Sequence, residues 1–387
     1  MVASFEASSP AHGMAGQRRA FFFLGTSESG GLAGYYHVSI MLAEGLRHNG
    51  WAISSDATAW RPDVGSEYLF PGGSVEEAKT ADLIVIGEDW FRHANNLLPD
   101  WVLSGNTPTV YVNRSDMSKD VRTIYAPEAR HYSLILRTHT SRYLRYPANV
   151  APAVFGVSDR IARATSTTPG ASRSGMMWNF RKTGFPHSVR EYVDRRVKPV
   201  IAEQVELRET KDSQDRPAAD AYERLMRDQT EGRHFNSYYE SLQSSQLCAC
   251  FGGWFVLPVR QEEAGTFSRV GKNLLNRTGW YSPAMGQWDS WRLWEAFAAG
   301  AAVLHVDFEK HGFMLPGPLP VAMKHYIPVD LRNPRQSLGD ILKDTERLRE
   351  IGEAGRQWAL EFYTSKAQAH HMLSQLGLEA GTPIPAV

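Results

Sequence analysis

The sequence is poor in the features that would announce most specialised classes of protein. Its 387 residues hold two cysteines, Cys248 and Cys250, which excludes a disulfide framework, and a pair one residue apart is a poor frame for a structural metal. On a strand both would point the same way, as small core residues. No apolar run reaches the roughly eighteen residues that a membrane-spanning helix requires. The amino terminus, MVASFEASSPAHGMAGQRRA, carries no continuous apolar segment after its charges, so no signal peptide is expected. Forty-two basic and forty-two acidic side chains leave no net charge. That removes a global pull towards nucleic acid, although a local basic groove would not alter the total. The expectation is a soluble, cytoplasmic protein.

Familiar catalytic signatures are missing too. The glycine-rich TSESGGLAGYYH does not spell GxGxxG and lacks the spacing of a P-loop, and no GxSxG elbow occurs. No DxD pair follows a strand in the manner that holds a metal and a diphosphate, so a divalent cation is not implied. His311, His370 and His371 read as surface histidines rather than ligands.

What is present is a series of strand-length apolar runs alternating with helical patterns, over a length that suits two α/β domains. Residues 1–18 read as disordered, 19–155 as a first domain, 156–355 as a second and 356–387 as a terminal helix and tail. In the first domain, strands are expected at Ala20–Gly25, Trp51–Ser55, Ala81–Gly87, Thr109–Val112 and Ser133–Arg137. Ser74-Val75-Glu76-Glu77 spells a capped helical turn, and a helix is expected around Asn95–Leu98. The strands end in polar groups: Asp56, then Glu88 and Asp89, then Asn113 and Arg114, then Thr138 and His139. A doubly wound sheet keeps its ligands at that edge. Tyr146–Arg160, with its prolines, reads as the passage between domains.

In the second domain, Gly175–Phe180 reads as the first strand, followed directly by Arg181 and Lys182, two cations suited to a diphosphate. Ordinary surface cations would look the same. Further strands are expected at Val200–Leu207 and Leu247–Phe251, with a helix near Ala221–Asp228. Terminal helices are expected at Leu338–Leu348 and Glu353–Leu376, with Ala354, Trp358, Phe362 and Ala369 on a packed face.

The most informative stretch is Gly286–Val306, GQWDSWRLWEAFAAGAAVLHV: a polar loop, a helix over Ser290–Ala298, a stop at Gly300 and a short strand. Asp289 or Ser290 can cap the helix. Arg292 and Glu295 lie three apart and share a face, either pairing in solvent or lining a ligand site at the helix start.

In the wording DSWRLWEAFAAGAAVLHV, this stretch resembles the donor-binding element of GT-B glycosyltransferases, and within them the exostosin-like and spore-coat CgeB-like branches. The likeness runs from about Tyr238 to Asp330. Its YYESLQSS phrase lacks the proline of the exostosin-like pattern. The resemblance implies two Rossmann-like domains facing across a cleft, with the C-terminal helix crossing back. It also implies a nucleotide-sugar co-substrate, with Glu295 on the ribose hydroxyls and Asp289, Ser290 and Arg292 facing the donor. Arg181 and Lys182 would serve its phosphates, and Gly30, Gly31 and Gly34 of the first loop match glycines that lie between donor and acceptor.

A transfer that inverts configuration needs a base from the first domain. Glu28 in the flexible first loop is preferred and His37 is second, with Asp89 and His139 as further candidates. A retaining transfer has no such need. Polysaccharide, protein, a small molecule and modified DNA are all open as acceptors. A non-catalytic sugar- or nucleotide-binding protein with the same cleft is the competing reading, and an epimerase or hydrolase is a third.

Overall fold

The computed structural model describes residues 17–25, 36–91, 98–114, 127–166, 173–180, 189–209, 216–255 and 284–378. The first half forms a six-stranded parallel sheet, in the spatial order β2-β1-β3-β4-β5-β6. Its strands are β1 (Arg19–Phe23), β2 (Ala52–Ser55), β3 (Leu83–Gly87), β4 (Thr109–Asn113), β5 (Leu134–Arg137) and β6 (Val150–Pro152). Alternation along each strand separates two apolar layers. Phe22, Leu83 and Val85 face one core, while Phe21, Ile84 and Ile86 face the other, which is why β3 and β4 are buried along their whole length. Helix α1 (His37–His48) covers the first layer, and α2 (Val75–Lys79) and α3 (Asp100–Ser104) contribute Ala78 and Val102 to the second. Ser74 forms the expected capping box with Glu77.

The second half forms a five-stranded parallel sheet in the order β13-β12-β9-β7-β8. In chain order its elements are α4 (Asp159–Ala164), β7 (Ser174–Met177), α5 (Val189–Arg196), α6 (Lys198–Ala202), β8 (Leu207–Arg208), α7 (Ala221–Gln229), α8 (Asn236–Ser244) and β9 (Ser245–Ala249). An antiparallel pair, β10 (Trp254–Phe255) with β11 (Met285–Gly286), precedes α9 (Trp291–Ala298), β12 (Ala302–His305) and β13 (Ile327–Pro328). Then come α10 (Pro334–Leu338), α11 (Thr345–Phe362) and α12 (Ser365–Gln375). The two Rossmann-like domains face each other across a cleft, the arrangement of the GT-B fold.

Several sequence expectations need correction. Val200–Leu207 is not one strand: Pro199 opens α6, where its missing N–H is harmless, and Val200 and Ile201 are buried in succession rather than alternately. The single helix expected over Glu353–Leu376 is two. Tyr363, fully buried with its hydroxyl on the Pro318 carbonyl, ends α11, and the Thr364 hydroxyl caps α12. Leu338 closes α10 rather than opening a helix, and the packed face of α11 is Leu348, Ile351, Gly352, Gly355, Trp358 and Ala359. His311 is buried, not a surface residue, whereas His370 is exposed. Most of the helix expected around Asn95–Leu98 lies outside the described residues. Cys248 and Cys250 are free and buried, on one side of the strand with their sulfurs 3.7 Å apart.

The domains are tied together at several places. Helix α12 crosses back onto α1 at Gly45, where a Cβ would stand 1.9 Å from the Ser365 carbonyl oxygen. Helix α7 comes from the second half of the chain, yet its Met226 packs with Trp60, Leu69 and Phe70 in the core of the first domain. Gln229 holds both the N–H and the carbonyl of Arg61. A third tie runs between the loops after β5 and β12, where Arg142 N–H donates to the Gly312 carbonyl at 2.7 Å and Met314 N–H to that of Thr140 at 3.1 Å.

Candidate functional site

The carboxyl ends of β7 and β9 flank the point where strand order reverses, the usual ligand crevice of an open parallel sheet. Beyond β9 the chain runs through Phe251, Gly252 and Gly253. Gly253 has φ +83°, and a Cβ there would lie 1.9 Å from the Gly286 carbonyl oxygen, so only glycine lets β10 approach β11. The start of α5 pins this turn, with Val189 N–H on the Gly253 carbonyl and Arg190 Nε–H on that of Phe251. After β11, Gln287 takes a left-handed conformation at φ +48° and redirects the chain into α9.

At the head of α9, Asp289 is buried and engaged on both oxygens. Phe155 N–H donates to Oδ2 at 2.8 Å and Trp294 Nε1–H to Oδ1 at 2.6 Å. Burial pushes its carboxyl up to about 6. Its own N–H donates to His139 Nδ1 at 3.2 Å, and His139, buried, stands at φ +59°. Both Asp289 oxygens are thus occupied at the head of the helix, by the Phe155 N–H and the Trp294 indole. Ser290 is the N-cap residue, but its side chain makes no capping bond.

One turn further, Glu295 lies in a polar pocket of an otherwise apolar helix face, 5% exposed. Tyr238 O–H donates to Oε2 and Tyr239 O–H to Oε1, each at 2.8 Å. Burial, reinforced for Tyr238 by the Glu295 charge, pushes both phenols well above their usual range, so they act as neutral donors. Behind them, Arg160 of α4 donates from Nη1 to the Tyr239 oxygen at 2.6 Å and pairs with His234 Nδ1 at 2.9 Å, and its Nη2 lies 3.9 Å from Glu295. Burial and the Arg160 charge hold His234 at about 3; its Nε2 makes no hydrogen bond to a described residue. Arg292, half-buried on the first turn of α9, likewise has a buried Nε with no described partner.

The described first-domain candidates are engaged elsewhere. His37 donates from Nε2 to the Phe155 carbonyl at 2.8 Å, with its ring 4.9 Å from that of Trp291. Burial and the Arg160 charge bring it to about 3, far below the range of an effective base at neutral pH. Both oxygens of Asp89 accept from Arg114 Nη2, at 2.7 and 2.6 Å, and Glu88 accepts the Arg114 N–H at 3.1 Å. Asp56 holds the N–H groups of Leu24 and Gly25. The polar strand ends that read as a working edge thus largely pair with the backbone and with one another.

Glu28, Gly30, Gly31, Gly34, Arg181 and Lys182 lie outside the described residues. Of the rest, the structure gathers His37, His139 and Asp289 around Phe155, places Ser290, Arg292 and Glu295 along α9, and sets Asp89 apart with Arg114. Tyr238 and Tyr239 stand in the sequence only as the start of the YYESLQSS phrase. Sequence reasoning passed over Arg160 and His234, which carry no local signal. Among the described residues no group of three or more His, Cys, Asp or Glu side chains is placed to hold a metal ion, and no helix is long and apolar enough to cross a membrane.

No protein-family model matches the chain, and no curated protein matches it. Similar solved structures include an alpha-glucosyltransferase in complex with UDP and a 13-mer DNA, at 13% identity and TM-score 0.46, over 92% of this chain and 95% of that one. A glycosyltransferase from Rickettsia africae ESF-5 is similar at 7% identity and TM-score 0.48, over 93% and 98% of the two chains. A UDP-GlcNAc 2-epimerase from Neisseria meningitidis, bound to UDP-GlcNAc, is similar at 9% identity and TM-score 0.37, over 92% and 99%. These likenesses concern the fold and leave substrate and reaction open.

Proposed function

We propose that this protein is a glycosyltransferase that moves a sugar from a nucleotide-sugar donor to a hydroxyl acceptor without a metal ion. The observation that carries the reading is Glu295. It is a carboxylate on the helix beside the second domain's ligand crevice, oriented by two phenols, with the Arg160 guanidinium 3.9 Å behind it. A charged acceptor binds hydroxyls more strongly than a neutral one, and the vicinal pair of a ribose is its natural partner. Arg292, whose buried Nε in the first turn of α9 has no partner among the described residues, suits the leaving diphosphate, together with Arg181, Lys182 and the glycines of the first loop. Asp289 positions the start of that helix through Phe155 and Trp294, and Ser290 at the N-cap faces the donor.

For the base, the engagement of His37, Asp89 and His139 leaves Glu28 as the candidate for an inverting transfer; a retaining transfer needs none. The same engagement favours a second reading, a nucleotide- or sugar-binding protein without turnover. The acceptor is a polysaccharide, a protein, a small molecule or modified DNA.

The test is thermal stability and binding heat against UDP, GDP, dTDP, CMP and ADP, in EDTA, for the wild type and Glu295→Ala. One nucleotide should stabilise the wild type and lose its effect in the variant. No binding, or binding indifferent to the substitution, overturns the assignment of α9. Incubating the protein with sugar conjugates of the bound nucleotide then separates the two readings: release of free nucleotide supports a transferase, and its absence with every acceptor class supports the binder.

A further inference from the structure

The pair Tyr238 and Tyr239 goes beyond holding a buried carboxylate. A carboxylate has about four acceptor positions and is otherwise free to turn about its last bond. Here one phenol takes one position on each oxygen, at 2.8 Å on both sides. This fixes the plane of the group, and with Arg160 Nη2 at 3.9 Å from Oε1, beyond hydrogen-bond distance, neither oxygen accepts a second hydrogen bond from the described residues. The arrangement is itself braced, because Arg160 donates to the Tyr239 oxygen at 2.6 Å and is held in turn by His234. Adjacent residues on α8 reach opposite oxygens of Glu295, so neither duplicates the other.

We infer that Tyr238 and Tyr239 are positioning residues that lock Glu295 as a two-point acceptor for a vicinal diol, making the site selective for ribonucleotides over their 2′-deoxy counterparts. The inference rests on the donor-site reading of Glu295. A 2′-deoxy ligand leaves one buried carboxylate position unpaired, and a carboxylate clamped on both sides cannot rotate to recover the loss. Without one phenol the group can turn and accept a single hydroxyl through either oxygen, so discrimination falls.

The experiment compares binding of UDP with 2′-deoxy-UDP, and of the GDP and ADP pairs, by the wild type, Tyr238→Phe, Tyr239→Phe and Glu295→Ala. The expected result is a ribo-to-deoxy preference of about 10- to 100-fold in the wild type, reduced several-fold in each phenylalanine variant. A purely structural role would lower the melting temperature without moving that ratio. Loss of the Tyr239 hydroxyl removes a partner of buried Arg160, so if that variant fails to fold, Tyr238→Phe, at a half-buried position, decides alone. A wild type that binds both sugars equally, or a ratio unchanged in the variants while binding still depends on Glu295, overturns the inference but leaves the donor site standing. Binding indifferent to Glu295→Ala overturns both.

Discussion

The backbone of Phe155 donates its N–H to Asp289 Oδ2 at 2.8 Å, while its carbonyl accepts from His37 Nε2 at the same distance. The two peptide groups that flank Phe155 are thereby held from the second domain on one side and from the first on the other. Asp289→Asn turns one of its two acceptors into a donor facing Phe155 N–H or Trp294 Nε1–H. The expected cost is roughly 1–3 kcal/mol, the usual consequence of a buried donor left unpaired. Denaturant melts should show a lower midpoint, and nucleotide affinity should fall with it because α9 starts at this residue. An unchanged midpoint would remove Asp289 from the hinge.

The brace between α12 and α1 depends on the absence of a side chain at Gly45. A Cβ there would meet the Ser365 carbonyl oxygen at 1.9 Å and the Ala369 Cβ at 2.7 Å. Backbone cannot yield cheaply, so Gly45→Ala should cost about 1–3 kcal/mol and loosen α12 more than any other helix. Hydrogen exchange resolved by segment should show faster exchange over 365–375, with the strands of the first sheet less affected. Uniform loss of protection would contradict this.

Beside that brace, Glu44 Oε2 accepts from the Asp159 N–H at 3.0 Å and the Ser365 hydroxyl at 2.7 Å, while His48 pairs with Asp159 at 2.8 Å. Burial first, and then the Asp159 charge, push the Glu44 carboxyl from 4.5 to about 8. A raised folded value means that the fold binds a proton the unfolded chain releases. The contribution is therefore present in full below the unfolded value and is lost as pH rises towards 8. Glu44→Gln cannot ionise, so its melting temperature relative to the wild type should climb from about pH 4.5 to pH 8 and level off above. A pH-independent difference would show that Glu44 is ionised in the fold throughout.

Asp89 has both oxygens on Arg114, and both side chains are buried. Arg114→Met leaves that carboxylate without its guanidinium and should destabilise the protein by about 3–5 kcal/mol. Adding Asp89→Asn should return part of the loss, a coupling readable in a double-mutant cycle. Additive effects would mean that the pair does not act as a unit, and would reopen Asp89 as a base.

The strands were legible where burial is written locally. The runs around Phe21–Phe23, Leu83–Gly87, Thr109–Asn113 and Ala302–His305 are apolar because helices cover both faces of a parallel sheet, and the helix and stop at Trp291–Gly300 follow from apolar spacing and a glycine. The capping box at Ser74 and Glu77 was legible for the same reason, its partners being three residues apart. Val200 and Ile201 were misread because a short apolar run fits a strand or a buried helix turn equally well.

By itself the sequence determined which segments bury themselves, and therefore two parallel α/β layers with polar groups at the strand ends. Tertiary structure alone decided what those polar groups do. Asp89 meets Arg114 across 25 positions of chain, and Glu295 meets Tyr239 across 56, with Arg160 and His234 behind them. It also sent α7 back into the first domain's core and joined Asp289 to the Phe155 N–H. Local periodicity records how much water a residue sees, whereas the partner of a buried charge is chosen by close packing between distant segments, and that choice leaves no mark in the neighbouring residues.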